Sequence, residues 1–231
     1  MQTSTVCGNL LINMYDFKYS VVMAIKNGEE FIDEAISSIL NQSLCPEKIV
    51  IVDDNSQIPI RNILPKNQII QIVELQGAGQ MAALNLGLQL IDSEYVSFLD
   101  HDDMWTENRQ NRHSQILDNK LLGCVVSRVV NFQSKEDKIS RNLQDMGVSR
   151  VLGACTFRTS AIKKVGIFNE DIKHHGIIDW WSRAEKLGIK IGIDDQPGLL
   201  RRLHANNSGK TSKMDARKSL FEILRALSNE N

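Results

Sequence analysis

Three carboxylates fall within four positions at Asp100-His101-Asp102-Asp103, immediately after the apolar run Tyr95–Leu99. Mutual repulsion makes such a cluster costly unless a cation or water neutralises it. A hard divalent ion such as Mg²⁺ or Mn²⁺ is the natural partner, since it binds through one or two carboxylates together with substrate phosphates. The same acids also read as a solvated turn that caps a helix around Trp105–Leu117. A second polar cluster, Asp53-Asp54-Asn55-Ser56, follows the apolar stretch Lys48–Val52. It can form a plain turn, or present Asp to a base N–H or a ribose hydroxyl. Gly77-Ala78-Gly79 would let backbone approach a ligand closely, although a lone Gly-x-Gly has little specificity.

The elements that must position these clusters alternate between strand and helix. Tyr19–Ile25 is apolar and rich in β-branched residues, and it breaks at Asn27-Gly28. Over Glu29 to Asn41, Ile32, Ala35, Ile36, Ile39 and Leu40 recur at helical spacing. Lys48–Val52 and Ile69–Leu75 read as strands, the helix opened by Gly77 carries Leu84, Leu88 and Ile91, and Tyr95–Leu99 is a fourth strand. This order predicts an α/β fold, Rossmann-like, with a mostly parallel sheet flanked by helices. Such sheets bind ligands at the carboxyl ends of their strands, and Lys26–Gly28, Asp53–Ser56 and Asp100–Asp103 all follow strands. They converge on one edge.

The second half is less regular. Strands are expected at Gly123–Val130, Gly153–Arg158, Ile189–Ile193 and Gly198–Leu203, with helices over Thr159–Val165 and Ile178–Leu187. Asn131–Arg150 reads as loop or hairpin and Ala205–Ser212 as loop. Met214–Leu227 places Leu220, Ile223, Leu224 and Leu227 on one helical face. With no repeat and no linker, residues 1–231 form one domain. A nucleotide-binding half covers about 19–103, an acceptor half about 104–212, and a C-terminal helix 213–231.

A 231-residue chain that is 42% hydrophobic can bury a full core, and its net charge of −1 argues against nucleic-acid binding. Cys7, Cys45, Cys124 and Cys155 form no Cys-x-x-Cys pair and read as small buried hydrophobes of a reducing compartment. No apolar run approaches the roughly 18 residues of a membrane span, and the N-terminus lacks a signal-peptide pattern. The expected location is cytoplasmic. Membrane contact is peripheral at most, at the inner face through the basic C-terminal helix, whose own-core packing is the simpler use.

The motifs SVVMAIKNGEEFIDEAISSILNQS, IVIVDDNS, GQMAALNLGL and YVSFLDHDDMW, in that order, resemble the family 2 glycosyltransferases of the GT-A fold, over about residues 19–204. The resemblance implies inverting transfer of a sugar from a nucleotide diphosphate sugar, assisted by Mn²⁺ or Mg²⁺. It places Asp54 at the base, Asp100 on the ribose side, Asp102 on the metal and Asp103 close to the donor. Ala24 and Glu29 would border the nucleotide pocket, with Asn27, Gly79 and the retained Asn85 also on the donor side. His204, in Arg201-Arg202-Leu203-His204, resembles a late Arg-x-His element that contacts the diphosphate or the metal.

Departures from the family pattern are specific. Ala24-Ile25-Lys26-Asn27 stands for the usual Pro-x-Tyr-Asn, and Leu84 replaces a basic residue beside Asn85. Ile177 occupies the position of the usual general base. Asp179 is then the one carboxylate in that window and the candidate base, the competing reading being that it only charges its helix; Glu170 and Asp171 come next. A base is needed because an acceptor hydroxyl is a poor nucleophile until its proton is being removed. The acceptor expected is a glycan, a lipid-linked molecule or another hydroxyl compound in cell-surface polysaccharide or glycoconjugate synthesis. Two alternatives stand beside this reading: a catalytically degenerate nucleotide-sugar-binding partner subunit, and a sugar-1-phosphate nucleotidyltransferase, whose Gly-rich loop Lys26-Asn27-Gly28 does not match. Trp180 and Trp181 read as core more readily than as sugar platforms, and His174-His175 as a polar loop.

Overall fold

The computed structural model describes residues 17–135, 138–139, 143–172 and 176–204. β1 (Tyr19–Ile25), β2 (Lys48–Asp54), β3 (Ile70–Leu75) and β4 (Tyr95–Phe98) form a parallel sheet in the order β3-β2-β1-β4. All seven residues of β1 are buried, so both faces of the sheet are covered. Its alternation separates two layers of core. Tyr19, Val21, Met23 and Ile25 pack with Ile32, Ala35, Ile36 and Ile39 of α1 (Ile32–Leu40). Val22 and Ala24 face Met81, Ala83 and Leu84 of α2 (Gln80–Gln89). The helix lies very close: a Cβ on Gly87 would stand 2.3 Å from Val22 Cγ1. These crossovers bring the loops after β1, β2, β3 and β4 to the same edge.

Beyond β4 the sheet continues with strands of mixed direction. These are β5 (Met104–Trp105), β6 (Cys124–Phe132), β9 (Gln144–Val148), β10 (Cys155–Arg158) and β11 (Ile191–Arg202). β10 runs antiparallel between β4 and β6, β11 runs parallel to β6, and β5 closes on β11. β7 (Ser134–Lys135) and β8 (Lys138–Ile139) form a separate antiparallel pair. Helices α3 (Arg109–Leu117), α4 (Thr159–Val165) and α5 (Gly176–Lys186) complete the fold. Trp180 and Trp181 are both buried against Phe157, and their indole N–H groups donate to Gly166 O and Arg150 O. They are core.

Three local expectations change. Ile189–Ile193 and Gly198–Leu203 are one strand, β11, whose register slips around Asp194–Pro197, so the polar Asp194-Asp195-Gln196 stretch is a bulge within the strand. Trp105 belongs to β5 rather than a helix, because Asn108, with φ 57°, turns the chain before α3 begins at Arg109. Part of 131–150 pairs as β9 with β6. Cys124 and Cys155 are buried and free, as expected, whereas Cys45 is exposed and not among the free thiols. No helix among the described residues is long and apolar enough to cross a membrane. The C-terminal helix, the 205–212 loop, His174-His175 and Cys7 lie outside the described residues.

The inner face of α3 is polar. Arg109, Gln110 and His113 are fully buried, and Thr156 Oγ1 lies 2.8 Å from His113 Nδ1. Arg109 donates to Gly153 O and Cys155 O, with its guanidinium over the Trp105 ring. Burial holds Arg109 down at about 9 and pushes His113 well below the usual histidine range, helped by Arg109 and Arg112. This network ties α3 to β10.

Candidate functional site

The loops at the carboxyl edge are stitched to one another. Asn27, in a left-handed conformation (φ 52°), donates its backbone N–H to Ser56 Oγ, and its Oδ1 accepts from Gln57 N, both at 2.9 Å. Asp53 folds its own turn by accepting from Ser56 N and Ile60 N. Asp54 reaches to the next loop, where its two carboxylate oxygens accept the N–H groups of Ala78 (2.7 Å) and Gly79 (2.9 Å). Gly77 and Gly79 have φ of 80° and 97°, a conformation that glycine adopts without strain and that opens α2. Gln80, the first residue of α2, donates to Asp100 Oδ1 at 3.2 Å.

Within the acidic turn Asp103 is buried, and Asp100 and Asp102 are partly exposed. Asp103 is 4% exposed, and burial together with Asp100 and Asp102 pushes its carboxyl well above the usual range. Its Oδ1 accepts the backbone N–H of Arg202 at 2.9 Å. Asp100 is pushed up by burial first and then by Asp102. Arg201, exposed on β11, opposes both shifts electrostatically, so a cationic side chain faces the acids from the last strand. Asp102 pairs with His204: Nε2 and Oδ2 are 2.9 Å apart. The His204 ring leans on Phe31, with centroids 5.2 Å apart.

Among the described residues no group of three or more His, Cys, Asp or Glu side chains could hold a metal ion. Asp102 and His204 nevertheless fit two adjacent positions of one. An octahedral Mg²⁺ or Mn²⁺ holds ligands at about 2.1 Å, which sets neighbouring donor atoms about 3 Å apart. The observed 2.9 Å matches that spacing, and the remaining positions suit water and phosphate oxygens.

The other residues singled out in the sequence divide. Ala24 is buried at 8% on β1, and Glu29 is exposed at the mouth of the β1–α1 loop. Gly28 is pressed against the His101 ring, where a Cβ would stand 2.3 Å from Cδ2. Asn85, expected on the donor side, is 2% exposed and its amide is spent internally: Nδ2 donates to Phe168 O and Glu170 Oε1, and Oδ1 accepts from Phe168 N. It braces α2 against the loop that precedes α5. Leu84 lies in the core beneath β1, so no charge reaches the edge from there.

Asp179 lies in the first turn of α5, and its Oδ2 takes Arg183 Nε at 3.0 Å and Nη2 at 2.9 Å. Arg183 is itself anchored on Val165 O and Ile167 O. The carboxylate is therefore held by a fixed cation, the behaviour of a helix brace. The sequence placed Arg201 and Arg202 in the Arg-x-His element without giving either a role of its own, and it passed over Gln80 and Phe31. Their roles depend on β11 returning beside the acidic turn, a long-range pairing that no local pattern carries.

The parallel strands β1 to β4 and the acidic turn at their carboxyl edge define an α/β fold of the nucleotide-binding type. Residues 20–180 match the family model described as glycosyl transferase family 2, and the chain belongs to that family. An uncharacterised glycosyltransferase of Rickettsia typhi is 26% identical over 218 residues, covering 87% of this chain and 68% of its own length. The minor teichoic acid biosynthesis protein GgaA of Bacillus subtilis is 26% identical over 181 residues, covering 67% of this chain and 40% of its own length. Among solved structures, TarS of S. aureus (residues 1–349) in complex with UDP-GlcNAc superposes with a TM-score of 0.68 at 18% identity, covering 89% of this chain. This chain spans 65% of that structure and 39% of a longer TarS structure.

Proposed function

We propose that the chain transfers a sugar from a nucleotide diphosphate sugar to an acceptor hydroxyl, with inversion at the sugar and with assistance from Mn²⁺ or Mg²⁺. The observation that carries this reading is the Asp102–His204 pair at adjacent-ligand spacing, beside Asp100 and Asp103 at the carboxyl edge of the parallel strands. Asp102 and His204 would hold the ion, which when bound neutralises charge on the leaving diphosphate. Arg201 adds a cationic side chain on the same side, and Asp54 keeps the Ala78–Gly79 backbone in place along the nucleotide. Inversion follows from a single displacement, in which the hydroxyl attacks opposite the departing diphosphate.

The UDP-GlcNAc complex of TarS supports a uridine diphosphate donor, and GgaA supports a hydroxyl on a cell-surface polymer as acceptor. The test is calorimetric titration of UDP and UDP-GlcNAc with and without Mn²⁺, followed by assay of UDP release. Tighter binding with Mn²⁺ and UDP release that rises with added acceptor are expected. Mn²⁺-independent binding would remove the metal from the scheme.

One observation favours a second reading, a donor-binding subunit that does not transfer. Ile177 stands at the position of the family's usual base, and Asp179 in the same turn is tied to Arg183. Donor binding without UDP release under any acceptor would establish it.

A further inference from the structure

We infer that Arg202 is the positioning residue of the cation site: it fixes the acidic turn so that Asp102 and His204 meet at one point. This rests on the metal-assisted reading above. The β11–β5 ladder reaches only Leu200 opposite Met104, so hydrogen bonding between strands stops short of the 100–103 turn. Arg202 makes the connection the ladder lacks. Its Nε donates to Asp102 O at 2.9 Å, and its backbone N–H donates to Asp103 Oδ1 at 2.9 Å. The turn is thus held at two consecutive residues from one residue of β11, two positions before His204.

The guanidinium is itself immobilised. It is 1% exposed and lies between the rings of Phe31, 4.4 Å from its centroid, and Phe132, at 4.7 Å. Nη2 donates to Glu34 Oε2 of α1 at 2.9 Å. Phe31 also supports the His204 ring, so one aromatic side chain locates both the arginine and the histidine. A planar fork can stack between two rings while donating to a carbonyl on one side and a carboxylate on the other. A lysine ammonium cannot reproduce that geometry. Groups that orient metal ligands without touching the ion typically contribute 10–100-fold in metal affinity.

Calorimetry of UDP binding with and without Mn²⁺ tests this in the wild type, Arg202→Lys and Glu34→Gln, with circular dichroism and melting to verify the fold. In Arg202→Lys the factor by which Mn²⁺ tightens UDP should fall about 10–100-fold, while metal-free UDP affinity stays within about threefold. Glu34→Gln alters a half-exposed partner and keeps Arg202; it should lose at least about threefold of the Mn²⁺ factor and carries the test if the lysine variant does not fold. An unchanged Mn²⁺ factor in a folded variant, or an equal loss of metal-free binding, overturns the positioning role alone. A wild type on which Mn²⁺ has no effect overturns the metal reading and this inference with it.

Discussion

His204 Nε2 lies 2.9 Å from Asp102 Oδ2, although the two residues are 102 positions apart in the chain. The contact joins distant parts of the sheet: the turn follows β4, and His204 follows β11, the last strand described. A histidine and a carboxylate at this spacing can share a proton or share a cation.

Asp102→Asn therefore separates the two uses. It preserves shape and hydrogen bonding and removes charge, so Mn²⁺ should no longer tighten UDP binding while metal-free binding persists. His204→Gln should act in the same direction with a smaller loss. Calorimetry that gives Asp102→Asn the wild-type Mn²⁺ dependence would place the ion elsewhere.

Asp54→Ala leaves the N–H groups of Ala78 and Gly79 without their carboxylate. The cost expected is about 1–3 kcal/mol, divided between stability and free UDP affinity. Paired urea melts and UDP titrations report the division. Two unchanged values would show that the loop after β3 holds its shape through the glycine dihedrals alone.

Much of this edge was legible in the sequence. β1 to β4 announced themselves because each is a short apolar run ended by Gly, Asn or Asp, and the clusters that follow them do meet at one edge. Other features were invisible because they depend on distant register. Arg202 was read only as part of the Arg-x-His element; its place against the acidic turn and two aromatic rings depends on β11. The continuity of β11 was masked by Asp194-Asp195-Gln196-Pro197, a loop-like stretch that the sheet absorbs as a bulge. Asn85 was placed on the donor side only by the family resemblance; its side chain bonds Phe168 and Glu170, 83 and 85 positions away.

His113 makes stability depend on pH. Its pKa in the folded protein is well below the ordinary 6.5, so the unfolded chain takes up a proton that the folded chain does not. Stability is then fully present above about pH 6.5 and declines as pH falls below it, by about 1.4 kcal/mol per pH unit from this group. Arg109, Arg112 and Asp194 face the ring; of these the two arginines oppose its protonation. Melting curves between pH 7.5 and 5.5 should show a shallower decline in His113→Gln than in the wild type, even if the variant starts lower. Parallel declines would assign the pH dependence to other groups.

Asp179→Asn decides between a base and a brace. Asp179 is the acid in the first turn of α5, and a base there would accept the proton of the acceptor hydroxyl. The observed pairing argues for the brace. Arg183 holds Asp179 Oδ2 through two nitrogens and is locked on Val165 O and Ile167 O, so the oxygen that would take the proton already faces a fixed cation. The amide keeps one hydrogen bond to Arg183 and loses the charge. UDP-GlcNAc binding should persist, turnover should stay within about threefold of wild type, and stability should fall by about 0.5–1 kcal/mol, typical of a partly exposed i,i+4 pair with extra anchoring. A turnover loss of about 10²–10⁴ with donor binding and melting temperature intact would restore Asp179 to a catalytic role.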